Sequence, residues 1–140
     1  MLHDAVLAVH IVAGVAGLLL GGAGLGRPER LARWPYQSAV AVVTVGAVAL
    51  AAMDWAGLWP FVILAVGTEA AALGAWWLHR RRPRKWEPWY LRLAYGTCVS
   101  LVTALLVVSW PSVVSWLLPT LVGAPRIERA ALQASRRSLA

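Results

Sequence analysis

The chain has 140 residues, of which 60% are hydrophobic and only 14% are charged. Soluble domains usually have about a quarter of their residues charged, so this chain has too little polar surface for a soluble globule or a disordered segment. Its single cysteine, Cys98, also excludes a scaffold held together by internal disulfides. The composition therefore predicts an integral membrane protein.

Four apolar stretches lie between clusters of charge, at about residues 5–25, 37–53, 60–78 and 90–110. Each is roughly 17 to 22 residues long, the length that an α-helix needs to cross the ~30 Å hydrocarbon core of a bilayer. None of them alternates polar and apolar residues as a membrane-spanning β-strand does. The predicted fold is all-α, an integral membrane four-helix bundle in a single transmembrane domain over residues 1–125.

The prolines and the end of the chain define the remaining segments. All eight prolines fall at or beyond the ends of the predicted spans, where a proline starts or stops a helix at little cost. The apolar stretch 111–122 contains two of them, Pro111 and Pro119, and is too short to cross a bilayer. We expect it to be a fifth, interfacial or re-entrant segment, with a tilted partial span as the alternative. Residues 126–140 are predicted to form a basic tail.

The charged loops predict the orientation of the spans. Basic loops at residues 26–36 and 79–92 follow the first and third spans, and the positive-inside rule places both in the cytoplasm. The N-terminus and the turn at Asp54 then face outward from the cell membrane. The side that holds the tail stays open, because four spans would leave it outside whereas its charge favours the inside. The expected partners of the basic loops are the bilayer and its anionic lipid headgroups, and no nucleic acid.

Small residues recur on one face of the first span. Gly14, Gly17, Gly21 and Gly24 follow spacings of three and four residues, and His10 lies on the same stripe. Glycines at this spacing, which includes a GxxxG pair, let a second helix backbone approach closely. The stripe is therefore predicted to pack against another helix and to point His10 inward. The same glycine face also allows a second copy of the chain to pack as a homodimer.

An ionisable residue in the middle of the third span, Glu69, is the first functional candidate. A charged side chain at the bilayer centre costs several kcal/mol unless it is protonated or paired. With the N-terminus outside, His10 and Glu69 lie about 9 and 14 Å below the outer surface, at 1.5 Å per residue. The sequence therefore predicts one titratable site that contains both side chains. The alternative for Glu69 is a neutral carboxyl that serves packing alone.

Weaker candidate members of this site are polar residues at a similar depth. As residues that would contact a ligand we name Thr44, Asp54, Ser100 and Thr103. Asp54 would cover the site from the outer turn. The alternative for the hydroxyl groups is a hydrogen bond to the backbone of their own helix.

Four functions agree with these residues. The first is proton-coupled binding or transport of a hydrophobic or cationic small molecule, in which Glu69 exchanges a proton. The second is an intramembrane enzyme of the isomerase or cyclase type, with Glu69 as general acid and His10 as base. The third is a structural or assembly subunit of a membrane complex. The fourth is a b-type haem or quinone site that uses His10 from two subunits.

The sequence contains no CxxC, HExxH or phosphate-loop motif, so the first hypothesis includes neither a metal nor another cofactor.

Segments near both ends of the chain carry a family resemblance. Residues 116–123 read WLLPTLVG, residues 103–108 read TALLVV, and residues 10–14 read HIVAG. With these segments the chain resembles a family of small bacterial predicted integral membrane proteins, grouped as domain of unknown function 2306. The resemblance implies a multi-span helical protein with histidines near span boundaries, of which this chain keeps His10. It implies no activity.

Overall fold

The computed structural model describes residues 1–137, which form five α-helices and one short 3-10 helix and contain no strand. The α-helices are α1 (Leu2–Gly24), α2 (Trp34–Met53), α3 (Trp55–Arg81), α4 (Trp86–Ser109) and α5 (Val113–Arg137), and the 3-10 helix is Pro28–Ala32. Helices α1 to α4 are each long and apolar enough to cross a membrane. The predicted all-α membrane bundle is confirmed.

Helix α3 is longer than predicted at its start. It begins at Trp55, so Pro60 lies inside the helix and does not begin it. A proline removes only one backbone N–H, and near a helix start that loss affects a single hydrogen bond. The helix therefore continues back to Asp54, whose carbonyl accepts a hydrogen bond from the N–H of Leu58 at 3.2 Å. The expectation that Pro60 starts the third span is wrong.

The helices pack in chain order, each against the next, and α1 also contacts α4. We call the end with the loops at residues 25–33 and 82–85 the basic end, and the end with Met1, Asp54 and residues 110–112 the open end. The buried core lies toward the basic end, where the Tyr36 hydroxyl hydrogen-bonds to Thr97 Oγ1 at 2.6 Å. The Tyr90 hydroxyl donates to the carbonyl of Pro28, which ties α4 to the 3-10 helix.

Helix α5 joins the apolar stretch and the basic tail into one antiparallel partner of α4. Gly123 packs against Val99, and Arg92 forms an ion pair with Glu128 at 2.8 Å. Further along, Ala134 belongs to the core cluster at the basic end. The helix therefore runs from the open end back to the basic end, and no break separates the stretch 111–122 from the tail. Residues 138–140 of the predicted tail lie outside the described part of the chain.

Two prolines, Pro119 and Pro125, lie inside α5, so the expectation that they end helices is wrong. Prolines are tolerated inside helices of membrane proteins because neighbouring helices and local adjustments satisfy the freed backbone groups. Pro119 is buried in this structure and so takes part in the packing of α5. Because α5 runs back along α4, its four arginines lie toward the basic end, as do the other nine Lys and Arg residues of the chain.

Replacing Glu128 by glutamine is expected to loosen the last turns of α5 while the bundle stays folded. Two hydrogen bonds from Arg92 hold the pKa of the Glu128 carboxyl below its usual range. The pair therefore stabilises α5 above the ordinary glutamate pKa, and this contribution is lost as the pH falls through the lowered value. The effect is small because both side chains are partly exposed. Backbone hydrogen exchange over residues 126–137 measures it.

Glu87 provides the matched control for this experiment. It is another glutamate at the basic end, and it forms no ion pair within residues 1–137. Glu87→Gln is expected to leave the exchange of α5 unchanged. Wild-type exchange at acidic pH, corrected for the intrinsic rate, should approach that of Glu128→Gln at neutral pH. Equal exchange in all three proteins at every pH would contradict the proposed role of the pair.

Candidate functional site

A cavity of about 350 Å³ occupies the open half of the bundle, between α1, α2, α3 and α4. Its walls are mostly leucine, valine and alanine side chains. The polar side chains in the wall are His3, His10, Thr44, Thr68 and Ser100. An apolar cavity with a few convergent polar groups is the usual form of a small-molecule site.

The glycines of α1 close the cavity toward the basic end, because α1 packs directly on α4 there. A Cβ added at Gly17 would lie 3.3 Å from Leu101, and one added at Gly21 would lie 3.2 Å from Cys98. Glycine at these positions lets α1 approach α4, and Gly24 lies directly against Leu31 of the 3-10 helix. Gly14, one turn nearer the open end, has only Val43 nearby, at 4.0 Å from an added Cβ, and it lines the cavity.

The cavity also opens sideways between α1 and α4. Four residues of these helices line it and are nevertheless half or more exposed: Ile11 at 54%, Val15 at 50%, Leu105 at 51% and Val108 at 73%. Side chains that belong both to a cavity wall and to the outer surface mark its rim. This rim lies on the apolar flank of the bundle, so the opening faces the region that lipid tails occupy around a membrane protein.

His10 is held against α2 with a defined ring orientation. Its Nδ1 lies 3.0 Å from the carbonyl oxygen of Val43, and its ring packs on Gly46, where an added Cβ would lie 2.8 Å from Nδ1. A carbonyl oxygen can only accept a hydrogen bond, so Nδ1 carries the proton and donates it. In the neutral ring, Nε2 is then an acceptor, and its orientation is set by the bond at Nδ1.

Glu69 lies beside the cavity and is not part of its wall. Its Oε2 accepts a hydrogen bond of 3.4 Å from the hydroxyl of Thr44, which also lies 3.4 Å from the carbonyl of Ala65. Glu69 is half-buried at the contact of α2 with α3. Thr44, in contrast, does line the cavity. The carboxyl is therefore one hydrogen bond removed from the cavity, behind the Thr44 hydroxyl.

The structure does not join His10 and Glu69 directly. The two side chains bond to successive residues of α2, His10 to Val43 and Glu69 to Thr44. Within residues 1–137, neither a hydrogen bond nor an ion pair connects them. The sequence predicted one site that contains both side chains. In the structure, each of them bonds to α2, and Thr44 lies between the Glu69 carboxyl and the cavity that His10 lines.

The remaining candidates fall into two groups. Ser100 lines the cavity. Thr103 is buried elsewhere, since its hydroxyl donates to the carbonyl of Val99, the residue that packs on α5. Its hydroxyl therefore bonds to its own helix, the alternative weighed from the sequence. Asp54 is exposed in the turn before α3, with its carboxylate near Gly57, and does not cover the cavity.

Sequence reasoning missed His3 and Thr68. His3 shares a helix face with His10, because His3, Leu7, His10 and Gly14 follow spacings of four, three and four residues, and all four line the cavity. This spacing is the signal that could have identified His3. Thr68 also lines the cavity, with its hydroxyl donating to the carbonyl of Leu64 at 2.7 Å, and no spacing in the sequence distinguishes it.

No group of three or more His, Cys, Asp or Glu side chains that could hold a metal ion occurs among residues 1–137. His79 lies at the basic end, in a cluster with the rings of Trp86 and Tyr90, and does not approach His10. Comparisons with protein-family models, with curated proteins and with solved structures give no match to the chain. The resemblance to domain of unknown function 2306 therefore stays a prediction.

Proposed function

We propose that the protein binds a hydrophobic small molecule with one weakly polar group, taken up sideways from the outer half of the cell membrane. The observation that carries this proposal is the apolar cavity beside His10, with its rim of half-exposed residues between α1 and α4. A ligand that is dissolved in lipid reaches such an opening without crossing water.

The proposed orientation follows from charge. All thirteen Lys and Arg residues lie toward the basic end, and loops rich in these residues are retained in the cytoplasm. The open end then faces outward, and the cavity lies in the outer leaflet. Helix α5 supports this orientation, because it brings the basic tail to the same side as both basic loops.

The chemistry of the wall selects the ligand class. No Asp, Glu, Lys or Arg lines the cavity, which favours a neutral ligand over a cation. With Nδ1 bonded to Val43, Nε2 is the ring atom of His10 left to accept a hydrogen bond from a ligand hydroxyl, and Ser100 in the wall offers a second polar contact. A volume of about 350 Å³ is near the lower limit for small-molecule sites, so the ligand is of isoprenoid-alcohol size.

Proton coupling would act through Thr44 in this proposal. An ionised Glu69 accepts the hydrogen of the Thr44 hydroxyl, whereas a protonated Glu69 can donate to the Thr44 oxygen instead. The two states present different hydrogen-bonding groups to a ligand in the cavity. Glu69 would thereby influence binding without contacting the ligand.

A bulky side chain at Gly14 is expected to block the cavity. Gly14→Phe places a ring in the wall without a backbone clash, since the nearest side chain is Val43 at 4.0 Å from the added Cβ. The probe is a photoreactive diazirine analogue of farnesol, added to the protein in lipid nanodiscs. We expect cross-links at cavity residues in the wild type and a loss of about tenfold or more in the variant.

The matched control is Gly22→Phe on the same helix. Gly22 is exposed, does not line the cavity and has no atom within 4 Å of an added Cβ. This variant adds the same ring to the outer surface and should cross-link like the wild type. Cross-links spread evenly over the lipid-facing residues of all three proteins would overturn the proposal.

A further inference from the structure

The start of α5 is fixed to the end of α4 by a set of serine hydrogen bonds. The Ser115 hydroxyl donates to the carbonyl of Trp110 at 2.6 Å, and the backbone N–H of Ser115 donates to the carbonyl of Ser112 at 3.1 Å. The two serine hydroxyls lie 3.2 Å apart, and Ser115 is only 2% exposed. Buried polar groups whose hydrogen bonds are satisfied hold their surroundings in one arrangement. The position of the next residue, Trp116, is therefore defined.

Trp116 connects α5 to the wall of the cavity. Helix α5 packs on α4, but the centre of the Trp116 ring lies 5.7 Å from that of Phe61 in α3, with an angle of 39° between the ring planes. Aromatic rings attract each other at such a distance. Phe61 lines the cavity, whereas Trp116 does not. Trp116 therefore supports one part of the cavity wall from outside the cavity.

Phe61 differs from the rest of the wall and lies close to its polar side chains. Within the described part of the chain, it is the one Phe, Tyr or Trp residue that lines the cavity. It lies one helical turn, about 6 Å, nearer the open end than Ala65, whose carbonyl is 3.4 Å from the Thr44 hydroxyl. His10 bonds to Val43, the neighbour of Thr44. The chain of an alcohol whose hydroxyl is bound by His10 is therefore within reach of the Phe61 ring.

We infer that Trp116 fixes the Phe61 ring in the cavity wall and that this ring selects a branched, unsaturated ligand chain over a straight, saturated one. The inference deepens the proposed function and rests on it. The face of an aromatic ring is flat and carries partial negative charge, so it attracts the C–H groups of flat isoprene units. A straight saturated chain rotates about every bond and loses more freedom when it is held against the same surface.

The first test uses the fact that Phe61 is the only phenylalanine of the sequence. Incorporating a fluorinated phenylalanine therefore gives a protein with a single fluorine NMR signal, which is recorded in lipid nanodiscs. Trp116→Leu should move this signal, because the neighbouring ring is lost, and farnesol should move it in the wild type. Trp59→Leu is the matched control and should leave the signal unchanged, since Trp59 is 49% exposed and does not line the cavity. An unchanged signal in Trp116→Leu would overturn the support by Trp116.

The second test measures selectivity. Farnesol and dodecanol, whose chain matches the main chain of farnesol in length, compete with the diazirine analogue for the protein in nanodiscs. The wild type should prefer farnesol, and Phe61→Leu and Trp116→Leu should each lower this preference by about fivefold, the effect of one aromatic contact. The double variant should lose no more than either single variant, because Trp116 acts through Phe61. Losses that add up in the double variant would overturn the inference.

A conservative variant and the binding of farnesol itself complete the test. Trp116→Phe keeps a ring against Phe61 and should retain most of the preference, whereas a loss as large as that of Trp116→Leu would contradict the aromatic contact. If farnesol neither moves the wild-type signal nor displaces the probe, the proposed function fails and the selectivity of Phe61 fails with it. If farnesol binds, but the wild type and both leucine variants rank the two alcohols alike, the proposed function stands and this inference is overturned.

Discussion

Gly46→Ala is expected to destabilise the protein by about 1–3 kcal/mol, the usual cost of adding a methyl group to a tightly packed interface between helices. The added Cβ would lie 2.8 Å from Nδ1 of His10 and 3.0 Å from its Cβ. The second distance involves an atom fixed to the α1 backbone, so rotation of the ring cannot relieve the contact and α1 must shift away from α2. The His10–Val43 hydrogen bond should be lost, and farnesol-analogue cross-linking should fall with it. Equilibrium unfolding in mixed micelles measures the free energy.

The control is Gly67→Ala, because an added Cβ at Gly67 has no atom within 4 Å. This change should leave stability unchanged or raise it by up to about 1 kcal/mol, since alanine is the better helix former. Combining Gly46→Ala with His10→Ala removes the 2.8 Å contact but leaves the 3.0 Å contact. The double variant should therefore recover part of the stability and none of the ligand binding. If Gly46→Ala and Gly67→Ala were equally stable, the close packing of His10 on α2 would be wrong.

The spans were predictable from the sequence because lipid imposes a simple rule. A backbone without water must satisfy its own hydrogen bonds, so a long apolar run between charged loops becomes a helix. The prediction failed where a proline was taken as a boundary, at Pro60, Pro119 and Pro125. A proline inside a helix removes one backbone hydrogen bond and crowds the carbonyl four residues earlier, but in a membrane protein neighbouring helices and local adjustments satisfy the freed groups, and Pro119 is buried in that packing.

The site was harder to predict, because depth alone does not determine direction. His10, Glu69 and Thr44 do lie at neighbouring levels, as the residue rise of a helix implied. Which neighbour each side chain faces depends on the rotation of every helix about its axis, and apolar sequences without a polar face do not reveal it. Thr103 illustrates the problem: it is about one turn from Ser100 on α4, yet Ser100 lines the cavity and Thr103 does not.

Helix α5 determines on which side of the membrane the end of the chain lies, and cysteine labelling can test this side. In a background with Cys98 replaced by alanine, single cysteines are introduced by Asp54→Cys, Arg84→Cys and Arg137→Cys. Spheroplasts are treated with a membrane-impermeant maleimide before or after lysis. Asp54→Cys should be labelled in intact spheroplasts, whereas Arg84→Cys and Arg137→Cys should be labelled only after lysis. Each result is all-or-none, because the reagent does not cross the bilayer.

The decisive comparison is between Arg84→Cys and Arg137→Cys, with Arg84→Cys as the internal reference. If α5 runs beside α4 for its whole length, as the contact of Gly123 with Val99 and the Arg92–Glu128 ion pair require, both cysteines are on the same side. Labelling of Arg137→Cys in intact spheroplasts would place the tail outside and detach α5 from α4. Labelling of Arg84→Cys there would invert the molecule and move the cavity into the inner leaflet. The ligand would then enter from the cytoplasmic leaflet of the membrane, although the chemistry of the cavity wall would be the same.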